Sequence, residues 1–489
     1  MGHPTYRVWK NEAGMNGKLV DRLWYRPNGD TGLARSLDGS VRGLVIGWLR
    51  LSVAALMVAG LFAILVAFAR SLAAQGFVGE EYFKVSLVGH VTFSLTVWSL
   101  SFAGVLWTLA AARTSTPSSL AVGWISLWLS SAGAVLMAGA TAVGWGNPLL
   151  VDYVPTLEHP VFAVGLGVFF LGTGLCAVNF LVALRHRIVS SPVDVKALGA
   201  GAVAYLSAML VLVLAFGVEG GMDWPTATWG TGHLLQVTNS ATMAAAWIIL
   251  LGGELPKRAR TVLSWAVLFY LLPVISVPLF YLLPGPLRMG PVGTITWTGL
   301  TVPTFGVWLV VGVAMVRRRR SPSPRLVPLF VSMLLFAVGG YAALMGLEGD
   351  SKITAHYHGT VGAVTVALMG IAYCLLPDLK IRLWMPSLAR FQPLLYGGGL
   401  LLLIAGLFWA SNYGGQRKAF EAFAQNSSIL GPMGLFGLGA LLTVVGGLTF
   451  VLGVGVSLLA KGLTPLQAPS SDSDTLQEDR QRIRSEQLR

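Results

Sequence analysis

A chain of 489 residues that is 54% hydrophobic and only 11% charged falls outside the soluble, disordered and secreted disulfide-rich classes. Its 59 glycines and 16 tryptophans suit helices packed in lipid, where glycine permits close approach and tryptophan settles at the interfaces. The net charge of +13 would suggest a nucleic-acid partner if the basic residues shared one soluble face; they lie instead in short runs between apolar segments, so no such partner is expected. The two cysteines, Cys176 and Cys374, sit inside apolar stretches, which argues against a disulfide framework, a Cys-rich zinc site or an iron–sulfur cluster.

Residues 1–43 read as a polar, basic arm without the pattern of a cleavable signal peptide. A bilayer core about 30 Å thick takes about 20 apolar residues as helix. Such segments occur near 44–69, 85–112, 120–145, 160–184, 197–217 and 227–252, then near 260–283, 294–316, 326–347, 354–377, 391–411 and 430–458. The expected architecture is an all-α, polytopic membrane domain over 44–458 with twelve spans, followed by a polar tail over 459–489.

If the amino terminus is cytoplasmic, 28 Lys and Arg lie on the inner side and six on the outer: Arg70, Lys84, Arg288, Lys352, Arg417 and Lys418. That asymmetry predicts both termini inside, in a bacterial-type inner membrane.

Depth separates the seven histidines. His3 lies in the arm, and His186 lies between Arg185 and Arg187 at the inner surface. His159 follows "NPLLVDYVPTLE" in an outer loop, where interfacial hydrogen bonding is expected. His90 falls about two turns into span two and His233 about two turns into span six, while His356 and His358 open span ten, all on the outer side. An imidazole in lipid is costly without a partner, so four at one depth on three helices point to ligation.

The pair in "AHYHGTVGAVTVALMG" is the most informative. Helix positions two apart point about 200° from each other, so one helix offers imidazoles to two opposite pockets. A single metal would want i, i+3 or i, i+4 spacing, whereas two flat cofactors flanking the helix suit His-x-His, and haem iron takes imidazole axially. One member of the pair needs a second axial partner, for which His90 is the natural candidate. The small residues Gly359, Gly362 and Ala363 leave room for macrocycles or neighbouring helices.

These features resemble subunit I of the haem–copper oxidases, including the related nitric oxide reductases. The resemblance rests on the twelve spans, on "GHVTFSLTVWSLSF" in span two, on "TWGTGHLLQVTNS" in span six and on the His-x-His of span ten. It implies that His90 and His358 ligate a low-spin haem and that His356 holds a second, high-spin haem whose free face meets a second metal. It also suggests that Arg417 and Lys418 lie over haem propionates.

The chain departs from that family at the second metal. No histidine occurs between His233 and His356, and Val237 stands where a cross-linked tyrosine would follow His233. A glutamate suited to iron is missing there as well. One imidazole is a poor site for copper or non-haem iron, so copper is expected to be absent. The spans carry almost no ionisable residues away from their ends, and the threonines of span eight (Thr294, Thr296, Thr298, Thr301 and Thr304) are expected mainly to bond back to their own helix.

The resulting expectation is a membrane haem oxidoreductase or electron-transfer subunit of a respiratory complex, with b-type haem as the default and His233 as the candidate group facing the second haem. The alternative is a non-catalytic redox relay, or a structural or gas-sensing subunit without a binuclear centre. No copper-binding Cys motif and no CxxCH haem-attachment site is present, so electrons must enter from a partner subunit, a cytochrome c or a quinol, and a hetero-oligomeric complex is expected.

Overall fold

In hydrocarbon each backbone N–H and C=O must find its partner inside the chain, so the apolar runs fold as helices. The computed structural model describes residues 37–69, 77–114, 118–218, 224–253, 255–283, 285–317, 324–346, 351–415 and 427–460. Among these, twelve helices are long and apolar enough to cross a membrane. They are α1 (Gly39–Ala69), α2 (Glu80–Ala112), α3 (Leu120–Val143), α4 (Pro160–Leu184), α5 (Val193–Val218) and α6 (Trp224–Leu251). The remainder are α7 (Lys257–Phe280), α8 (Gly285–Arg317), α9 (Leu326–Leu344), α10 (Ser351–Asp378), α11 (Pro386–Ser411) and α12 (Leu430–Ala460). Several helices start ahead of their apolar runs, because a first turn such as Glu80-Glu81 can stand in the polar interface while its carbonyls pair inward.

The helices are not equally enclosed. In their most apolar stretches α2 is 89% buried and α6 and α10 are each 78% buried, against 22–56% for the other nine. The three inner helices are therefore the three that carry His90, His233 and the His356/His358 pair. Their packing uses small residues and polar links. Gly339 of α9 meets Gly359 of α10 backbone to backbone, so a Cβ on Gly339 would lie 2.7 Å from Thr360 N. Trp247 of α6 donates to Ser332 Oγ of α9 at 2.7 Å, and Ser332 donates to Ala363 O of α10 at 2.6 Å. Both links are fully buried, so they tie the three helices at a fixed register.

Three irregularities interrupt the bundle. Thr92–Val97 in α2 forms a π-helical turn. α7 breaks at Tyr270 into Lys257–Phe269 and Leu271–Phe280, where Pro273 has no N–H to offer the carbonyl of Phe269. Between α3 and α4 the chain forms a short antiparallel hairpin, β1 (Pro148–Leu149) with β2 (Thr156–Leu157), paired Pro148 to Leu157 and Leu149 to Thr156.

Candidate haem site

His90, His233, His356 and His358 all line one cavity with a volume of about 1080 Å³. Pockets for one small ligand run about 300–1,000 Å³, so this space is large for a single occupant. α10 contributes residues to it from Ser351 to Thr365. His358 and His90 are electrostatic neighbours, and Ala63, Leu403 and Phe436 are among the other lining residues. The His356 ring lies beside that of Tyr357, with centroids 5.4 Å apart, and Phe336, Thr304 and the hairpin residue Tyr153 line the same cavity.

The four imidazoles share one arrangement. His90 Nδ1 lies 3.1 Å from Ala59 O, and His233 Nδ1 lies 2.7 Å from Trp229 O. His356 Nδ1 lies 2.9 Å from Gly339 O, and His358 Nδ1 lies 2.8 Å from Thr354 O. A carbonyl oxygen can only accept, so each Nδ1 carries the proton and each Nε2 keeps its lone pair. That is the tautomer in which imidazole ligates a metal through Nε2 while a backbone carbonyl fixes the ring. Two of these supports come from another helix: α1 orients His90, and α9 orients His356. The other two come from the preceding turn of the histidine's own helix.

His233 differs from the other three. Its Nε2 meets the hydroxyl of Tyr153 at 3.4 Å, and the two rings pack edge to face with centroids 4.7 Å apart. Among the described residues no three His, Cys, Asp or Glu side chains gather as a metal-binding set. The donors around His233 are one imidazole, the Tyr153 hydroxyl and the nearby Asp152 carboxylate, short of the several imidazoles that copper or non-haem iron takes.

The residues present do fit an axially ligated macrocycle: the cavity is lined largely by apolar residues such as Leu, Val and Phe, and imidazoles with a lone pair at Nε2 line it from different helices. The π-helical turn serves this fit. His90, Ser94 and Ser99 of α2 all line the cavity, although Ser99, nine residues from His90, would point about 180° away on a regular helix. The wider turn brings it back to the same side. Ser99 Oγ is buried and without a hydrogen-bond partner, an orphaned donor aimed at the space a cofactor would take. The π-helical turn is a feature that periodicity misses, because residues 92–97 are as apolar as their neighbours.

Other candidates from the sequence separate clearly. His159 caps α4, its Nδ1 accepting from Val161 N at 3.3 Å, and packs on Trp145 rather than joining the cavity. Thr294, Thr296 and Thr304 bond to carbonyls of their own helix, while Thr304 also meets the Tyr270 hydroxyl at 2.8 Å. Gly359 is occupied by the contact with α9, whereas Gly362 forms part of the cavity wall. Arg417 and Lys418 lie outside the described residues.

Comparisons with known proteins agree with this architecture. The chain is 27% identical over 357 residues to an uncharacterized protein of Aquifex aeolicus (strain VF5), covering 71% of this chain and 87% of that one. It is 23% identical over 483 residues to an uncharacterized protein of Rickettsia prowazekii (strain Madrid E), covering 83% and 94% respectively. Among solved structures it matches a haem–copper terminal oxidase, determined as a dimer by cryo-electron microscopy, with a TM-score of 0.66 and 16% identity over 89% of this chain and 86% of that one. The sequence model of cytochrome c and quinol oxidase polypeptide I matches residues 43–448, and the chain is therefore a member of that family, the subunit I of haem–copper oxidases.

Proposed function

We propose that this protein is a membrane haem oxidoreductase or electron-transfer subunit that diverges from the oxygen and nitric oxide reductases at the second metal. His90 and His358 would hold a low-spin b-type haem, and His356 a second haem on the opposite side of α10. A bis-imidazole iron stays coordinately saturated in both redox states and exchanges single electrons with little rearrangement. The carbonyls of Ala59 and Thr354 keep both rings of that pair in the ligating tautomer. The carbonyl of Gly339 does the same for His356, whose ring is thereby fixed to α9. His233 lines the same cavity as His356 and has the Tyr153 hydroxyl on its Nε2, so a haem held by His356 would keep its free face for a small ligand rather than for copper.

The single observation that supports this reading is the common pattern of the four imidazoles, each with its Nδ1 proton given to a carbonyl and all facing one cavity. The basic residues support cytoplasmic termini in a bacterial-type inner membrane, with a membrane domain over 44–458 between polar arms 1–43 and 459–489. Electrons would come from a partner subunit, a cytochrome c or a quinol, within a hetero-oligomeric complex.

Reduced-minus-oxidised and CO difference spectra of the purified protein test this function. The expected result is a low-spin spectrum that CO leaves unchanged together with a second haem that CO shifts. If CO shifts nothing, the second haem is saturated and the protein is an electron relay; copper near one equivalent per chain would refute the reading of His233.

A further inference from the structure

Tyr153 is delivered to the cavity by a purpose-shaped support. The hairpin that carries it is fixed to α2 by Thr92 Oγ1 donating to Pro155 O at 3.3 Å, and to α6 by Trp224 Nε1 donating to Val154 O at 3.1 Å. Between these two ties the Tyr153 ring drops into a notch at Gly232, the residue before His233. A Cβ there would collide with Tyr153 Cβ and would lie 2.6 Å from Cδ2 and 2.7 Å from Cγ. The ring is also 6.0 Å from that of Tyr357, which neighbours His356 at 5.4 Å. Tyr153 thus reaches α10 at the residue beside His356, and Tyr153, His233 and His356 all line the cavity.

The chemistry of the pair follows from its geometry. His233 Nδ1 donates to Trp229 O, so Nε2 is an acceptor and the Tyr153 hydroxyl is the donor. At 3.4 Å the bond is long against the usual range of about 2.5–3.0 Å for hydroxyl donors, so little is lost when the hydroxyl turns to a closer acceptor.

We propose that Tyr153 and His233 form a metal-free dyad in which the Tyr153 hydroxyl donates a hydrogen bond to a small diatomic ligand bound opposite His356. This rests on the function proposed above, since it needs a haem with an open face there. Tyr153 is the ligand-contacting donor, and His233 is the positioning residue that holds the hydroxyl when no ligand is bound.

The test is the C–O stretching frequency and the CO dissociation rate of the reduced, full-length protein, compared with Tyr153→Phe and Gly232→Ala. Removing the hydroxyl should raise the stretching frequency and speed dissociation about threefold to tenfold, the effect of one ordinary hydrogen bond. Gly232→Ala, which displaces the ring but keeps the hydroxyl, should change both in the same direction and carries the test if Tyr153→Phe does not accumulate. The low-spin spectrum of His90 and His358 should stay unchanged in both variants, as a control for folding. A CO adduct insensitive to both substitutions overturns the dyad while leaving the proposed function intact. Absence of any CO adduct in the unmodified protein overturns the dyad together with the open face on the second haem, and leaves the electron relay.

Discussion

Substituting Gly339→Ala examines how the fold holds His356. The added methyl would lie 2.7 Å from Thr360 N and 2.9 Å from Gly359 Cα, where ordinary contacts are about 3.5–4.0 Å. α9 must then move from α10 by about 0.6–1 Å, and because the close atoms are backbone on both sides, no side chain can yield instead. The same movement stretches the bond from His356 Nδ1 to Gly339 O from 2.9 Å to about 3.5 Å or beyond, where it no longer counts as a hydrogen bond. Overpacking costs about 1–3 kcal/mol and the lost hydrogen bond about 0.5–1.5 kcal/mol, so a total of about 2–4 kcal/mol is expected. The assay pairs thermal unfolding in detergent with the CO difference spectrum. Stability should fall and the CO-sensitive haem should weaken or shift. The low-spin haem should persist, because its supporting carbonyls belong to Ala59 and Thr354. Unchanged unfolding together with an unchanged CO spectrum would refute the claim that this contact sets the position of His356.

His90→Ala should remove the low-spin spectrum and leave the CO-reactive haem; retention of both in optical spectra would reject the ligand assignment. Ser332→Ala removes the hydroxyl between Trp247 and Ala363 and leaves a buried indole N–H unpaired, so thermal unfolding should show a loss of about 1–2 kcal/mol. Arg113 and Asp194 meet at 3.4 Å, but the Arg113 side chain is 40% exposed, so water screens the pair; Asp194→Asn should cost under about 1 kcal/mol in the same assay, and a larger loss would refute the screening.

The twelve spans were legible because apolar runs of helical length are the strongest signal a sequence carries, and the histidines stood out because imidazole is rare in lipid. The His-x-His spacing of α10 implied two opposed pockets, whereas the structure has His356 and His358 lining one continuous cavity, bonded to different carbonyls. The parts that were not legible depend on contacts distant in sequence. The π-helical turn at Thr92–Val97 leaves no trace in composition, and the contact of Gly339 with Gly359 joins two helices that each look ordinary alone. Tyr153 was hidden in a loop noticed only for His159. Its one sequence signal is an aromatic residue between Asp152 and the Val154-Pro155 turn of a short connection over the histidine end of the bundle. The break in α7 did have a signal, in the two prolines of "LLPVISVPLF", which a reading by hydropathy alone passes over.

The most direct measurement is the haem content of the purified protein beside that of His356→Ala and His358→Ala, determined as pyridine haemochrome. Two haems per chain are predicted for the unmodified protein, with His358→Ala losing the low-spin haem and His356→Ala losing the CO-reactive one. A colourless protein from cells supplied with iron and porphyrin precursor, or variants that keep the full haem complement, would contradict the convergence of these imidazoles on iron.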